Sequence, residues 1–238
     1  MKIKEIEMDL PYLMNEENIK EIQRKEKLEH NEAIRRDYEL NWKEKRRKFQ
    51  LMTRCMTSMI ERVLLPICTS DCWKIVIECV DSFPENGYKN LLGVYTIQII
   101  MDVEEFFQLN DYEKKRIVIN KILEGTNILS DIAKINLASI EKSCNEIKTL
   151  NYNNVWYWKK PMKSKRGFVQ IRLHHEVKEL SIYMVFWDLK CNIIKQTHLV
   201  STLPDERVYS RYLGKLEWIS EELVKLTTKT GETFIEQL

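Results

Sequence analysis

The sequence predicts an α+β fold, with a long N-terminal helical arm followed by a mostly antiparallel sheet of about six strands that packs helices on one face. The first supporting observation is a stretch from Tyr12 to Leu65 that contains neither Gly nor Pro. The second is the change after Pro66, where β-branched and apolar runs bounded by turn residues replace that pattern. The third is the order of predicted elements, in which runs of strands and runs of helices follow one another. We therefore expect an arm over residues 1–65 and a single α+β domain over residues 66–238.

The first half of the arm is expected to be a solvated helix. Asn15 is a suitable N-cap, and the acids Glu16 and Glu17 favour the positively polarised end of a helix. Between Asn15 and Gln50 there are 11 Lys or Arg and 9 Asp or Glu residues, which leaves few side chains to bury. This half should project from the body of the protein as one helix, as two helices or as a partly frayed segment.

An apolar seam begins at Trp42 in the second half of the arm. Its main residues are spaced 7, 3, 4, 3 and 4 positions apart, which is the a/d pattern of packed helices: Trp42, Phe49, Met52, Met56, Met59 and Val63. Ile60 and Leu64 widen the seam. The pattern predicts that this half packs on an apolar surface, either of the chain itself or of a second copy in a homodimer formed through the arm.

Strands and helices are predicted in turn over the globular part. They are, in order, a strand over 73–80, a loop over 82–90, a strand over 91–101 that forms a hairpin with the first, a helix from Asn110 or Asp111 to Gly125, and a helix from Ile128 to about Leu150. Four further strands are predicted over 154–160, 168–175, 180–187 and 193–200. The turns between these four strands are short and polar, which indicates an antiparallel meander.

The C-terminal region has a mixed pattern. A short helix is expected from Pro204 to Leu213. The tail is predicted to continue as helix or turn through Glu222 and to end in a hairpin around Thr230 and Gly231.

Composition and charge exclude several classes of protein. No apolar run approaches the ~20 residues needed to span a bilayer, and the opening residues lack the apolar stretch of a secretory signal. The chain contains 38 Lys and Arg against 36 Asp and Glu, so any basic surface must be local. The Gly-rich loops that bind nucleotide phosphates are missing. We expect a cytoplasmic protein with reduced thiols, no membrane association and no cofactor.

Residues with the chemistry of metal ligands are few. Cys68, Cys72 and Cys79 lack the paired spacing of a zinc site, so we interpret them as buried thiols and predict no metal site. His174 and His175 are adjacent on a predicted strand, which places them on opposite faces, with His175 towards the core. The two imidazoles are therefore not expected to bind one ion.

One short motif resembles catalytic chemistry. Glu176 and Lys178 match the Glu-x-Lys element of metal-dependent nucleases, in which the carboxylate holds Mg²⁺ and the lysine steadies the attacking water. The element would need a further acid on a neighbouring strand, such as Glu78 or Asp102. Because the motif falls in a predicted turn, where Glu and Lys are common, no catalytic residue is predicted and the chain is not expected to be an enzyme.

Two basic clusters are candidate binding surfaces. The first lies on the arm and comprises Lys45, Arg46, Arg47 and Lys48. The second lies in and before the turn after residue 160 and comprises Trp156, Trp158, Lys159, Lys160, Lys163, Lys165 and Arg166. Aromatic rings that stack and cations that neutralise phosphate are the two ingredients of single-strand nucleic-acid binding, although both tryptophans share one strand face and suit a core equally well.

These observations favour a non-catalytic cytosolic interaction protein that binds a protein partner, such as an inhibitor or an immunity or defence factor. The alternative is a nucleic-acid-binding protein, or a metal-dependent nuclease that uses Glu176 and Lys178. A homodimer through the arm is compatible with both.

Overall fold

The computed structural model describes residues 1–82 and 88–238, and their contacts divide the chain into two compact units, Met1–Tyr152 and Asn153–Leu238. Helices make up 40% of the chain and strands 32%, which confirms the mixed α+β composition. The single sheet of about six strands is wrong, because the described strands form three sheets of four, three and four strands. Each unit has its own cluster of buried side chains.

The division differs from the predicted one, which set an arm over residues 1–65 apart from one domain over 66–238. Side chains of the arm, such as Phe49 and Ile60, are buried in the same core as Ile77 of the sheet that follows. Because arm and sheet share this core, the division falls after Tyr152.

A mixed four-stranded sheet organises the first unit. Its strands are β1 (Glu5–Asp9), β2 (Lys74–Val80), β3 (Tyr88–Leu91) and β4 (Val94–Ile100), in the order β1-β2-β4-β3. Strands β1, β2 and β4 run parallel, and β3 is antiparallel to β4. Strand β1 was not predicted, although its buried residues Ile6 and Met8 alternate with the acids Glu5, Glu7 and Asp9.

The hairpin predicted between residues 73–80 and 91–101 is wrong, because β2 and β4 are parallel. The chain reverses instead between β3 and β4, at Leu92 and Gly93, whose φ angles are 52° and 81°. Positive φ at both central residues is the requirement of a type I′ turn. The predicted loop falls largely on residues 83–87, which lie outside the described residues.

The arm is broken into several helical segments. They are α1 (Glu16–Glu26), α2 (His30–Asp37), a π-helical turn (Tyr38–Trp42) and α3 (Lys43–Val63). Asn15 caps α1 as predicted, since its side chain accepts hydrogen bonds from the backbone N–H groups of Glu17 and Asn18. The left-handed conformation of Lys27, with φ 54°, ends α1 and so rules out one continuous helix.

The apolar seam that begins at Trp42 packs inside the first unit. Phe49, Met56 and Ile60 of α3 are fully buried in its core, and the Phe49 ring lies 5.5 Å from that of Phe106. The prediction that the seam packs on an apolar surface is therefore confirmed. That surface belongs to the same chain, so the observation that suggested a homodimer is accounted for without a second copy.

Three further helices complete the first unit: α4 (Val103–Gln108), α5 (Asp111–Ala133) and α6 (Ala138–Thr149). Asn110 caps α5, as predicted, by accepting the N–H of Glu113 at 3.0 Å. Gly125 does not end this helix. It lies where α5 approaches the sheet, and a Cβ there would lie 3.2 Å from side-chain atoms of Ile77. The helix ends instead at Lys134, where φ is 55°.

The second unit begins with the predicted antiparallel meander. Its strands are β5 (Val155–Lys163), β6 (Phe168–His175), β7 (Leu180–Trp187) and β8 (Ile193–Thr202), in that spatial order. There follow a short helix α7 (Glu206–Tyr209) and a three-stranded antiparallel sheet of β9 (Lys215–Trp218), β10 (Leu223–Thr227) and β11 (Thr233–Gln237). The predicted C-terminal hairpin is confirmed as β10 and β11, whereas Lys215–Trp218, which lie in the segment predicted as helix or turn, form strand β9.

Alternation along the strands gives the four-stranded sheet a buried core face. On β6, Val169, Ile171 and Leu173 are fully buried, and Leu226 of the three-stranded sheet belongs to the same core. His175 lies on this buried face and His174 on the opposite one, which confirms the predicted orientation of the pair. Among the described residues, no helix is both long and apolar enough to cross a membrane.

Candidate functional site

The basic cluster on the arm lies on α3 and mostly serves the first unit itself. Arg46 donates from Nε to Asp9 Oδ1 at 2.7 Å and pairs with the same carboxylate through a second guanidinium nitrogen. These hydrogen bonds raise the pKa of Arg46. Lys45 Nζ lies 2.6 Å from a carboxylate oxygen of Glu104. Two of the predicted binding residues are thus engaged in ion pairs.

The other two cations of the arm cluster, Arg47 and Lys48, are exposed. Lys48 Nζ lies 4.4 Å from the ring centroid of Phe107, in a cation–π contact. Arg47 has no ion pair among the described residues. Two exposed cations, of which one is already in contact with a ring, form a weak electrostatic site.

The second basic cluster contains cations with acidic partners and cations without them. Lys165 and Arg166 lie opposite two acids of the turn after β9, at 3.1 Å from Glu221 and 2.5 Å from Glu222. Because these acids partly neutralise them, the two cations contribute little to a positive field.

The remaining three lysines of this cluster lie on β5 without acidic partners. The register of β5 shifts between Trp158 and Met162, which makes a bulge at Lys159 and Lys160. Lys159 has φ 60°, and its Nζ lies 4.1 Å from the centroid of the Trp158 ring. Lys160 and Lys163 are exposed and have no ion pair in the part of the chain that the structure describes. The bulge therefore presents uncompensated positive charge along an edge strand.

Trp156 and Trp158, the predicted stacking residues, lie on the core face. They pair across the sheet with the buried residues Leu173 and Ile171, and both pack half-buried against the core of the second unit. The alternative that the sequence left open for them, a place in the core, is the one observed.

The opposite side of this sheet, the outer face, carries a different set of aromatic rings. Its rings and central cation are Tyr157 on β5, Phe168 and Arg172 on β6, Tyr183 and Trp187 on β7, and His198 on β8. Four of them form one row in register across all four strands: Tyr157, Arg172, Tyr183 and His198. These side chains are half-buried or exposed, and Tyr157 is 38% exposed.

The outer-face side chains contact one another at ring-packing distances. The guanidinium carbon of Arg172 lies 4.8 Å from the centroid of Tyr183, whose ring meets that of His198 edge-on at 5.2 Å. The rings of Phe168 and Trp187 are stacked, with centroids 5.6 Å apart and an interplanar angle of 12°. The Tyr157 ring lies 6.0 Å from that of Trp187, so the outer face contains two groups of rings in contact, with Arg172 beside the ring of Tyr183.

Acidic side chains are missing from this sheet. None of the strands β5 to β8, whose residues are all described, contains Asp or Glu. The first unit's sheet carries acids on β1 and β2, and the three-stranded sheet carries Glu217 and Glu236. Residues 153–175 contain six Lys or Arg and no acid. In a chain with 36 acids, this gives one sheet a positive character that the overall charge conceals.

Two nitrogen atoms of the outer face lack hydrogen-bond partners. Nε of Arg172 and Nε1 of Trp187 are buried and unpaired in the described structure. Buried donors without acceptors cost free energy of folding.

Hydroxyl and imidazole groups lie at one end of the outer face. His198 Nε2 lies 2.9 Å from Ser201 Oγ, which lies 2.8 Å from Ser181 Oγ. His174 Nε2 lies 2.7 Å from a carboxylate oxygen of Glu176. These groups are polar partners for a ligand that reaches this end of the sheet.

The residues of the nuclease hypothesis are not assembled within either unit. Glu176 and Lys178 lie in the turn after β6, in the second unit, whereas Glu78 and Asp102 belong to the first unit. Glu78 accepts a hydrogen bond from Gln98 at 2.6 Å, and Asp102 caps α4. Within the described residues, no group of three His, Cys, Asp or Glu side chains is placed to hold a metal ion.

The outer face was missed from the sequence, although its signal was present. The alternation that placed His175 in the core also places Phe168 and Arg172 on the outer face, and the same reasoning applies to Tyr157. The sequence pattern of Trp156 and Trp158 predicts stacking on the opposite face instead. Comparisons with protein-family models, with curated proteins and with solved structures found no match for the chain.

Proposed function

We propose that this protein binds nucleic acid and that the four-stranded sheet of its second unit holds the phosphate backbone. The observation that carries the proposal is the absence of acids from all four strands, together with the lysines presented by the β5 bulge. Phosphate groups are held by Lys and Arg side chains, and nearby carboxylates would repel them. The second unit presents lysines on β5 and has no acid on the four strands, and the carboxylate of Glu176 at one end of the outer face is paired with His174.

The charges of the two units support this assignment. Residues 153–238 contain 14 Lys or Arg against 10 Asp or Glu, whereas residues 1–152 contain 24 against 26. The near-neutral total therefore results from a basic second unit and a slightly acidic first unit. A local basic surface of this kind is the electrostatic footprint of nucleic-acid binding.

A protein partner is the second candidate function. Arg, Tyr and Trp are enriched at the centres of protein interfaces, and the outer face contains all three. Ile193, which pairs with Trp187 across the sheet, is 49% exposed and extends the apolar end of this face. A protein partner accounts for these side chains but not for the missing acids, which is why nucleic acid is preferred.

The test is a titration of labelled nucleic acid, single-stranded and duplex, with the full chain at several salt concentrations. The double variant Lys160→Gln/Lys163→Gln, the bulge variant, removes two exposed lysines of β5, one in the bulge and one just after it. The control variant Lys89→Gln/Lys229→Gln removes two exposed lysines that lie outside this sheet. The bulge variant should weaken binding to single strands. Its decrease of log K with log[salt] should also be less steep by about 1.4, because each lost phosphate contact reduces the magnitude of the slope by ~0.7. The control variant should leave both quantities nearly unchanged.

Two outcomes would overturn this proposal. One is the absence of binding to either form of nucleic acid at low salt. The other is an equal loss of affinity in the bulge variant and in the control, which would mean that only the net charge matters.

A further inference from the structure

We infer that the nucleic acid is single-stranded and that its bases stack on the aromatic rings of the outer face, with the phosphates along the β5 bulge. This inference rests on the proposed function and adds the class of ligand. The feature that carries it is the combination of an aromatic sheet face with uncompensated lysines at one edge of the same sheet.

Aromatic rings on the outer face favour a single strand over a duplex as the ligand. Bases in a duplex are stacked on one another, so their flat surfaces are not available to a protein. Bases of a single strand are available, and each has a flat surface that stacks on an aromatic ring. Tyr157, 38% exposed, presents such a ring, and Tyr183 in the same row is half-buried beside the guanidinium of Arg172. These rings would have no stacking partner in a duplex complex.

The dimensions of the row suit a short stretch of bases. The four residues of the row occupy four adjacent strands, which lie about 4.8 Å apart, so the row extends over about 14 Å. In one class of RNA-binding module, aromatic residues on a face of a four-stranded sheet stack two or three bases. We expect a footprint of this size on the outer face.

Arg172 lies between the two tyrosines of the row and adds a cation to the stacking surface. Its guanidinium already lies over the ring of Tyr183, at 4.8 Å from the centroid. A planar cation in this position interacts with the face of a base and attracts the backbone of the ligand. The site therefore combines stacking and charge within one row.

The β5 bulge places the phosphate-binding lysines beside the stacking surface. Lys160 and Lys163 belong to the same strand as Tyr157 and are exposed. Pro161 lies between them and has no backbone N–H, so this part of the edge is a poor template for an added peptide strand. The edge thus suits a backbone of phosphates better than it suits a peptide that extends the sheet.

The test compares a labelled single strand of 12 nucleotides and mixed sequence with the same sequence as a duplex, each titrated with the full chain. We expect the single strand to bind at least about tenfold more tightly than the duplex. Replacing Tyr157 by Leu keeps an apolar side chain but removes the ring, and should weaken single-strand binding about tenfold. Tyr157→Phe keeps the ring and should bind as the unchanged protein does.

Folding of the variants is checked by thermal unfolding, and Tyr183→Leu with Tyr183→Phe provides a second pair of the same design. Equal affinity for duplex and single strand, or equal binding by the Leu and Phe variants at both positions, would overturn the stacking inference and leave the proposed nucleic-acid binding in place. Absence of binding to both ligands would overturn both. Preferential capture of a protein by the outer face, without nucleic-acid binding, would also overturn both.

Discussion

Arg172 shows how a single side chain connects the folding of the second unit with its proposed function. Its guanidinium contacts the Tyr183 ring, while its buried Nε donates no hydrogen bond. A ligand that stacks on the row would gain from a cation that is already held in place.

None of the six cysteines, all of which lie in the described residues, forms a disulfide, and we predict that their reactivity follows burial. Cys68 and Cys191 are exposed, in contrast to the prediction that Cys68 would be buried, and the other four are buried. Burial raises the pKa of Cys72 to about 11 and that of Cys144 to about 12, which suppresses the reactive thiolate.

A disulfide reagent at pH 8 should therefore modify two thiols rapidly in the folded protein and all six after unfolding. Rapid modification of a third thiol under folding conditions would contradict the burial of the core cysteines. The positions can be read by mass spectrometry of the modified peptides.

Among helices and strands, α3 and β1 are joined by core packing and by an ion pair, and we predict that loss of this ion pair destabilises the first unit. Arg46 makes two charge-assisted contacts with Asp9 of β1. Arg46→Ala should lower the free energy of unfolding by about 2 kcal/mol, the usual range for hydrogen bonds to charged groups. Arg47→Ala is the matched control, because Arg47 is exposed on the same helix and has no ion pair among the described residues.

Urea unfolding of the two variants and the unchanged chain measures this difference. The control should stay within about 0.5 kcal/mol of the unchanged chain. If Arg46→Ala lowered the free energy of unfolding no more than the control does, the attraction within the ion pair would only offset the cost of its desolvation. The ion pair would then not stabilise the contact of α3 with β1.

Local patterns predicted the meander of the second unit because its strands pair with their neighbours in sequence. The predicted bounds of β6 and β7 match the observed ones. Alternation within β6 also assigned His174 and His175 to their faces. The same alternation would have identified Tyr157 and Arg172 as outer-face residues, so this part of the candidate site was within reach of the sequence.

Non-local pairing explains the errors in the first unit. β1 pairs with β2, which lies 65 residues or more along the chain, and nothing in either segment encodes that partner. Gly125 was interpreted as a helix end because Gly commonly ends helices, whereas its role is to let α5 approach Ile77. The β5 bulge likewise depends on a register shift that the sequence of one strand does not reveal.

The chain as a whole contains two separate cores, and we predict that residues 153–238 fold without the rest. The buried clusters of the two units share no residue. The segment should give a cooperative unfolding transition and well-dispersed amide resonances when it is expressed alone. A disordered spectrum would show that the second core needs the first unit.

The central claim is that the outer face of the second unit contacts the bases of a single strand. Ultraviolet crosslinking of the full chain to a single-stranded oligonucleotide, followed by mapping of the modified peptides, tests it most directly. We expect crosslinks at Tyr157, Phe168, Tyr183 or Trp187. Crosslinks confined to residues 1–152, or to the three-stranded sheet, would contradict it.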